Sequence, residues 1–292
     1  MIKVAVLMAT YNGAKYIKDQ IDSILRQKDI ELELFISDDK STDKTLEIIE
    51  SYCVKYKNIN LINVKKVGGP AKNFYFLINY INIKNFDYIA LSDQDDFWPN
   101  YRLSNAINKL ISQNAEAYSS DVVAIDHELK FIKLIKKSYP LKKYDYIFET
   151  PGPGCSFVMS VNLLGYLQSK LNNDLLNFPY HDWLIYALAR RQHFKWIIDD
   201  QPTLLYRQHD NNFMGGNIGF KSALKRTNRI LFGDYHKELI KLYSLLEFDN
   251  RSLDFYRVWK FIFNFNHTRR RFFHALLMIP FLIILSIQKN ES

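Results

Sequence analysis

Short apolar runs alternate with longer stretches in which apolar residues recur every three or four positions, and this alternation fills the first hundred residues. Lys3 to Met8, Leu32 to Ser37, Ile59 to Val64 and Tyr88 to Leu91 are β-branched or aromatic runs bounded by turn residues, which predicts four strands. Between them, Lys15 to Gln27, Thr42 to Tyr56 and Ala71 to Ile81 space their apolar residues as helices do, with Ile17, Ile21, Ile24 and Leu25 in the first. Strands alternating with helices of this length imply βαβ units and a parallel sheet, in which ligands bind at the carboxyl ends of the strands.

Three of those ends are polar. The first strand runs into Thr10-Tyr11-Asn12-Gly13, the second into Asp38-Asp39-Lys40-Ser41-Thr42-Asp43, and the fourth into Ser92-Asp93-Gln94-Asp95-Asp96. Carboxylates this close repel one another unless a cation sits between them, and oxygen ligands suit Mg²⁺ or Mn²⁺, which in turn grip phosphate oxygens. The same acidic residues also read as a solvated turn capping a helix that begins at Pro99. Two acidic clusters at the same end of one sheet favour a shared cleft. No G-x-x-x-x-G-K-[ST] is present and no G-x-G-x-x-G opens a helix, so P-loop and dinucleotide readings lose support. Gly68-Gly69-Pro70 is a turn before a helix, and Lys72 beside it reads as a phosphate contact or as a solvated first-turn lysine.

Beyond residue 115 the pattern is less regular. Asp121 to Asp126 reads as a strand, Lys130 to Lys143 as a basic stretch, Pro151-Gly152-Pro153-Gly154 as a turn, and Cys155 to Val161 as a strand leading into a short helix. Pro179-Tyr180-His181-Asp182-Trp183 opens an apolar helix through Leu188. A strand over Phe194 to Ile198 follows, then a last run ending in Tyr206-Arg207-Gln208-His209-Asp210-Asn211-Asn212.

Cys53 and Cys155 lie far apart and the seven histidines have no zinc-ligand spacing, which excludes a disulfide framework or a structural zinc module and fits a reducing cytoplasm. The formal charge of +8 is uneven: residues 221–292 hold 13 Lys and Arg against 6 Asp and Glu, net +7, while residues 1–220 hold 26 against 25, net +1. The basic character belongs to the tail.

The ordered set Ala9-Thr10-Tyr11-Asn12-Gly13, Asp38-Asp39-Lys40-Ser41-Thr42-Asp43, Ser92-Asp93-Gln94-Asp95-Asp96, His181-Asp182-Trp183 and Tyr206-Arg207-Gln208-His209 resembles the bacterial inverting glycosyltransferases of family 2. Within that family it is most similar to the rhamnosyltransferase-like members that build surface polysaccharides. The resemblance covers about residues 1 to 220. It implies an α/β GT-A fold, a Rossmann-like, mostly parallel central sheet flanked by helices. It also implies a nucleotide-diphosphate sugar donor and a divalent metal, Mn²⁺ or Mg²⁺. Carried over by position, Thr10, Tyr11 and Asn12 line the nucleotide pocket with Lys72 nearby, and Asp39 contacts the base. Asp93 and Asp95 form the Asp-x-Asp element around metal, ribose and diphosphate, with Asp96 as the alternative ligand. His209 closes a loop over the diphosphate or ligates the metal. Asp182 matches the general base, while His181 and Trp183 flank the acceptor and sugar. Asp182 also reads as an N-terminal helix cap, a role compatible with catalysis because a helix N-terminus keeps a carboxylate ionised. Lys40 departs from the family pattern, in which glycine is commoner after the Asp pair.

These motifs divide the chain into a catalytic domain, 1–220, with a nucleotide-sugar half of about 1–115 and an acceptor half of about 116–220, and a helical, basic and apolar extension, 221–292. In the extension Tyr235, Leu239, Leu242 and Leu246 share one face, as do Phe255, Val258, Trp259 and Ile262. Arg269-Arg270-Arg271 precede Phe272 to Ile287, a stretch of 16 residues that falls short of the roughly 20 a spanning helix needs. An anchor lying in the plane of an anionic membrane surface is the expectation, peripheral on the cytoplasmic face and suited to a lipid-linked (polyprenyl) oligosaccharide acceptor. The alternative is a helix packed on the catalytic domain or on a second copy in a homodimer. Nucleic-acid binding loses support because no basic motif repeats.

The expected reaction is transfer of one sugar, L-rhamnose from its deoxythymidine diphosphate donor, to a lipid-linked glycan in O-antigen or capsule synthesis. A UDP-hexose donor is the alternative on the same fold. Clustered aspartates also serve metal-dependent phosphohydrolases and nucleotidyltransferases, and a non-catalytic membrane scaffold would keep the fold without the chemistry.

Overall fold

β1 (Lys3–Thr10) is buried on both faces, as its unbroken apolar run requires. Val4, Val6 and Met8 point into one core and Ala5, Leu7 and Ala9 into the other, the alternation of a pleated strand. A computed structural model describes residues 1–171, 175–209, 235–246 and 255–288. Beside β1 run β2 (Glu31–Asp38), β3 (Ile59–Asn63), β4 (Tyr88–Ser92), β5 (Ala117–Ser120), β8 (Val158–Ser160) and β9 (Trp196–Asp199), in the sheet order β3-β2-β1-β4-β8-β5-β9. All are parallel except β8, which runs antiparallel to both β4 and β5. The register pairs Thr10 with Asp38 and Met8 with Ser92, so the three polar strand ends stand at one edge of the sheet.

Helices cover both faces. α1 (Ile17–Leu25), α2 (Thr45–Lys55) and α4 (Arg102–Ser112) pack over one core. α3 (Pro70–Tyr80), α6 (Val161–Lys170) and α7 (His181–Arg191) pack over the other, together with the short α5 (Asp145–Phe148). Local chemistry sets several starts. Pro70 opens α3, and Ser160 Oγ caps α6 by accepting from Leu163 N at 3.2 Å. α4 begins at Arg102 rather than Pro99, so the Asp93–Asp96 run does not cap it. A small second sheet, β10 (Leu205–Arg207), β6 (Val122–Ile125) and β7 (Phe131–Ile135), lies beside the first. Phe97 pairs with Leu205, which brings the Tyr206–His209 run against the acidic run after β4.

The expected boundary near residue 220, and Asp210 to Asn212, lie outside the described residues. Past it come α8 (Tyr235–Leu245), α9 (Phe255–Phe263), α10 (Phe272–Leu276) and α11 (Met278–Gln288). Leu239, Leu242, Leu246, Val258, Phe261, Met278 and Phe281 join the core that holds α7, so these helices dock on the α/β body. The Arg269–Arg271 cluster is therefore not a lipid-facing patch as a whole. Arg270 is buried against Asp145 and Glu149, Arg269 donates to the Tyr235 hydroxyl at 2.9 Å, and Arg271 alone of the three is exposed. Buried carboxylates draw these guanidinium groups inward, because an unpaired charge in the core costs far more than a lipid contact returns. The outer face keeps Phe263, Phe272, Phe273, Leu276 and Leu277 exposed, with Lys260 and Arg271 alongside. Among the described residues no helix is long and apolar enough to cross a membrane.

Candidate active site

One wall of the cleft is stitched together by side chains that pair with the backbone of the next loop. Thr10 Oγ1 donates to Asp38 Oδ2 at 2.7 Å, and Asp38 also accepts from Ser41 N and Ser41 Oγ, each at 2.7 Å. Asn12 N donates to Ser41 Oγ and Asn12 Oδ1 accepts from Thr42 N, both at 2.8 Å. Gln94 pairs with both backbone groups of Tyr11, accepting from its N and donating to its O at 2.9 Å each. Gly13 makes room for this: a Cβ there would stand 2.2 Å from Gln94 Oε1. Lys40 takes φ +63° and Asn12 φ +48°, left-handed turns that glycine adopts most readily.

Asp39 accepts backbone N–H groups of the Gly68-Gly69 turn, from Gly68 at 2.9 Å, Gly69 at 2.7 Å and Val67. Burial raises its pKa, and these three donors reverse the effect to hold it below the ordinary carboxylate range. Lys72 is exposed on the first turn of α3, beside Gly68, and the Tyr11 ring is exposed at the rim.

The acidic run forms the floor. Burial and mutual repulsion raise the pKa of Asp93 and of Asp96, Asp95 being the largest neighbouring charge on each. Asp96 Oδ1 accepts from Arg207 N at 3.1 Å, whereas Asp96 Oδ2 is buried with no hydrogen-bond partner. Cys155 Sγ stands with oxygens of Asp93 and Asp96 in a group spanning no more than 4.8 Å. His209 Nε2 lies 2.8 Å from Asp95 Oδ2, its ring stacked on Tyr16 at 5.0 Å. Crowded carboxylates, an orphaned buried oxygen and an adjoining imidazole are the donor set of a divalent cation that accepts oxygen and nitrogen, so these residues fit one. Arg207 holds the floor in place: it donates to Asp95 O and His127 O at 2.9 Å, pairs with Asp19 at 3.1 Å, and lies 4.6 Å over the Tyr16 ring.

Asp182 stands at the first turn of α7, where Oδ1 accepts from Trp183 N at 2.9 Å. Burial pushes its pKa up to about 6, restrained by that bond, by the Lys137 cation and by the Thr150 hydroxyl. Gly154 lies against the ring of His181, the neighbour of Asp182, and Cys155 next to it groups with Asp93 and Asp96, so Asp182 and the acidic floor lie on either side of one turn. Lys137 is steadied by Asp121, which accepts from Lys137 N at 2.6 Å and Ser138 N at 2.8 Å.

Of His181 and Trp183, expected to flank acceptor and sugar, the imidazole is half-buried and the indole buried. Trp183 is in the core, 5% exposed, with Nε1 donating to Tyr146 O at 3.1 Å and its ring stacked on Tyr235 at 5.5 Å. The apolar area of an indole explains this placement. His181 stacks on Phe74 at 4.2 Å under Gly154, with Nε2 buried, and burial lowers its pKa to about 3, which keeps the ring neutral. Gln94, Arg207, Cys155 and Lys137 carry no assigned role in the sequence reading. Gln94 and Arg207 sit inside recognised motifs, but Lys137 is one lysine among several in its stretch. Two surface hollows at the opposite edge of the sheet, around Asp87 and Ile111 and around Gln27 and Lys57, gather no comparable set of groups.

The model of the glycosyl transferase family 2 matches residues 5–168. The chain is 42% identical to dTDP-rhamnosyl transferase RfbG of Shigella flexneri, over 83% of this chain and 86% of that protein. It is 27% identical to the UDP-Glc:alpha-D-GlcNAc-diphosphoundecaprenol beta-1,3-glucosyltransferase WfaP of Escherichia coli, over 77% of this chain and 84% of the relative. In fold it is similar to the mannosyltransferase PcManGT of Pyrobaculum calidifontis in complex with GDP-Man and Mn²⁺, with a TM-score of 0.55 and 14% identity, covering 98% of this chain and 86% of that one.

Proposed function

Because the chain belongs to glycosyl transferase family 2 and is a glycosyltransferase, we propose that it moves L-rhamnose from deoxythymidine diphosphate rhamnose, with inversion, onto a lipid-linked glycan. The observation that carries this reading is the placement of Asp182 and the Asp93–Asp96 floor on either side of the Gly154–Cys155 turn. The donor is taken from the 42% identical relative, and the lipid-linked acceptor from the relative whose name gives alpha-D-GlcNAc-diphosphoundecaprenol as its acceptor.

In this mechanism Thr10, Tyr11, Asn12 and Asp39 wall the nucleoside, with Lys72 within reach of phosphate. Asp93, Asp95, Asp96 and His209 would hold a divalent cation. When bound, it neutralises charge gathering on the departing diphosphate. Asp182 takes the proton of the acceptor hydroxyl as that oxygen bonds to the anomeric carbon and the bond to the diphosphate breaks on the opposite side, a single displacement that inverts the centre. Burial suits the base to this work, since a carboxylate of raised pKa is a stronger proton acceptor than one in water.

The exposed Phe263, Phe272, Phe273, Leu276 and Leu277, with Lys260 and Arg271, supply a docking face for an anionic cytoplasmic membrane. The decisive experiment measures transfer from deoxythymidine diphosphate rhamnose and from UDP-glucose to a polyprenyl-diphosphate-linked sugar, with Mn²⁺ and with chelator. Transfer from the first donor, lost in chelator and restored by Mn²⁺, is the expected result. Transfer from UDP-glucose alone would reassign the donor, and full activity in chelator would remove the metal. Pelleting with vesicles containing phosphatidylglycerol, set against the Phe272→Ser/Phe273→Ser variant, tests the docking face.

A further inference from the structure

Arg270 belongs to the C-terminal extension, yet its side chain is only 1% exposed and ties together three parts of the acceptor side. Its backbone N donates to Glu149 Oε1 at 2.6 Å, and its guanidinium pairs with Glu149 Oε2 at 3.5 Å and donates to Thr150 O. The same guanidinium reaches Asp145 Oδ2 in α5 and the Tyr186 hydroxyl in α7, both at 3.4 Å. Asp145 in turn accepts from Tyr186 at 3.1 Å and pairs with Arg190 at 3.1 Å, so α7 is gripped on its inner face by the same charges. The turn that Arg270 fastens runs on to Gly154, which lies against the ring of His181, the residue before the base; a Cβ at Gly154 would stand 2.3 Å from His181 Nε2. Thr150 itself pins the turn by donating from Oγ1 to Gly152 O at 2.8 Å.

We propose that Arg270 is a positioning residue for sugar transfer: it locks the Glu149–Gly154 turn to the first turns of α7 and so fixes where Asp182 meets the acceptor hydroxyl. The inference rests on the assignment of Asp182 as the base. It makes the C-terminal extension part of the acceptor site, where a tail serving only to dock on membrane would leave the chemistry untouched. Removing the guanidinium leaves Asp145 buried with one cationic partner and frees the turn from α7. A displacement of about 1 Å at a reacting group lowers a rate by about 100-fold.

The test uses the full chain. Arg270→Met should lower kcat about 100-fold at saturating donor and acceptor, while the calorimetric Kd for deoxythymidine diphosphate with Mn²⁺ stays within about twofold. Arg270→Lys, which keeps the charge without the planar fork, should recover about tenfold of that loss. A kcat within about threefold of wild type, or equal losses in kcat and nucleotide affinity, would overturn the proposal. If Arg270→Met does not fold, Glu149→Gln, which loosens the same turn with Arg270 retained, must show the same split, and its failure to do so also overturns it. Asp182→Asn is assayed in parallel. Wild-type transfer by that variant would defeat the base assignment itself, whereas loss of transfer there with normal kcat in Arg270→Met would defeat this inference alone.

Discussion

Along the donor wall, Asp38, Asp39, Asn12 and Gln94 pair with the backbone of the adjoining loop; around Asp182, buried charges from elements far apart in sequence take over. The first arrangement is local. Each bond satisfies a backbone group that the turn would otherwise expose, and each contributes about 1 kcal/mol without burying an unpaired charge. The second is distributed, and loses much when one member goes, because the remaining charges stay in the core without a partner. On the proposed assignment, donor recognition is built from consecutive βα units, whereas the acceptor side depends on α5, α7 and the C-terminal extension arriving together.

The sharpest way to separate the two sides is Asp182→Asn. It should cut transfer by about 1,000-fold, within the range of general-base catalysis, and leave calorimetric binding of the donor nucleotide unchanged. Asp145→Ala should destabilise the fold by about 3–5 kcal/mol in urea unfolding, since Arg190 and Arg270 lose their shared buried partner. On the donor wall, Gln94→Ala removes both bonds to Tyr11 and should weaken nucleotide affinity about tenfold with kcat preserved at saturation. Equal effects of Gln94→Ala on kcat would dissolve the contrast.

The smallest effect concerns pH. Burial holds Asp182 near pKa 6, so its ionised fraction, and with it kcat, falls as pH drops through about 6. The Lys137 cation favours the ionised form and Asp93 opposes it; Lys137→Met should therefore move the acidic limb of the kcat profile upward, by under about one pH unit. An unmoved limb would detach Lys137 from the base.

The donor wall was legible in the chain because its chemistry sits where a periodic strand stops. Asp38–Asp43 and Asp93–Asp96 follow β2 and β4 directly, and one register sets both at the same edge. The acceptor side resisted for physical reasons. From Trp183 to Ala189 every residue of α7 is buried, so no apolar stripe tells which way the indole turns. β5 and β6 are separated by Asp121 alone yet belong to different sheets, and the sequence reading, with a strand over Asp121 to Asp126, misses β5 altogether. Arg270 looks like its two neighbours until Asp145 and Glu149, more than a hundred residues earlier, are seen to lie beneath it.

β8 runs against its neighbours, and its direction has a topological effect. The chain leaves the top of β5, forms β6 and β7 of the small sheet and the Glu149–Gly154 turn, and comes back to that same rim, where Phe157 O accepts from Leu91 N at 3.1 Å, before descending through β8 into α6. An excursion that departs and returns on one rim leaves the order of the seven strands independent of its own length.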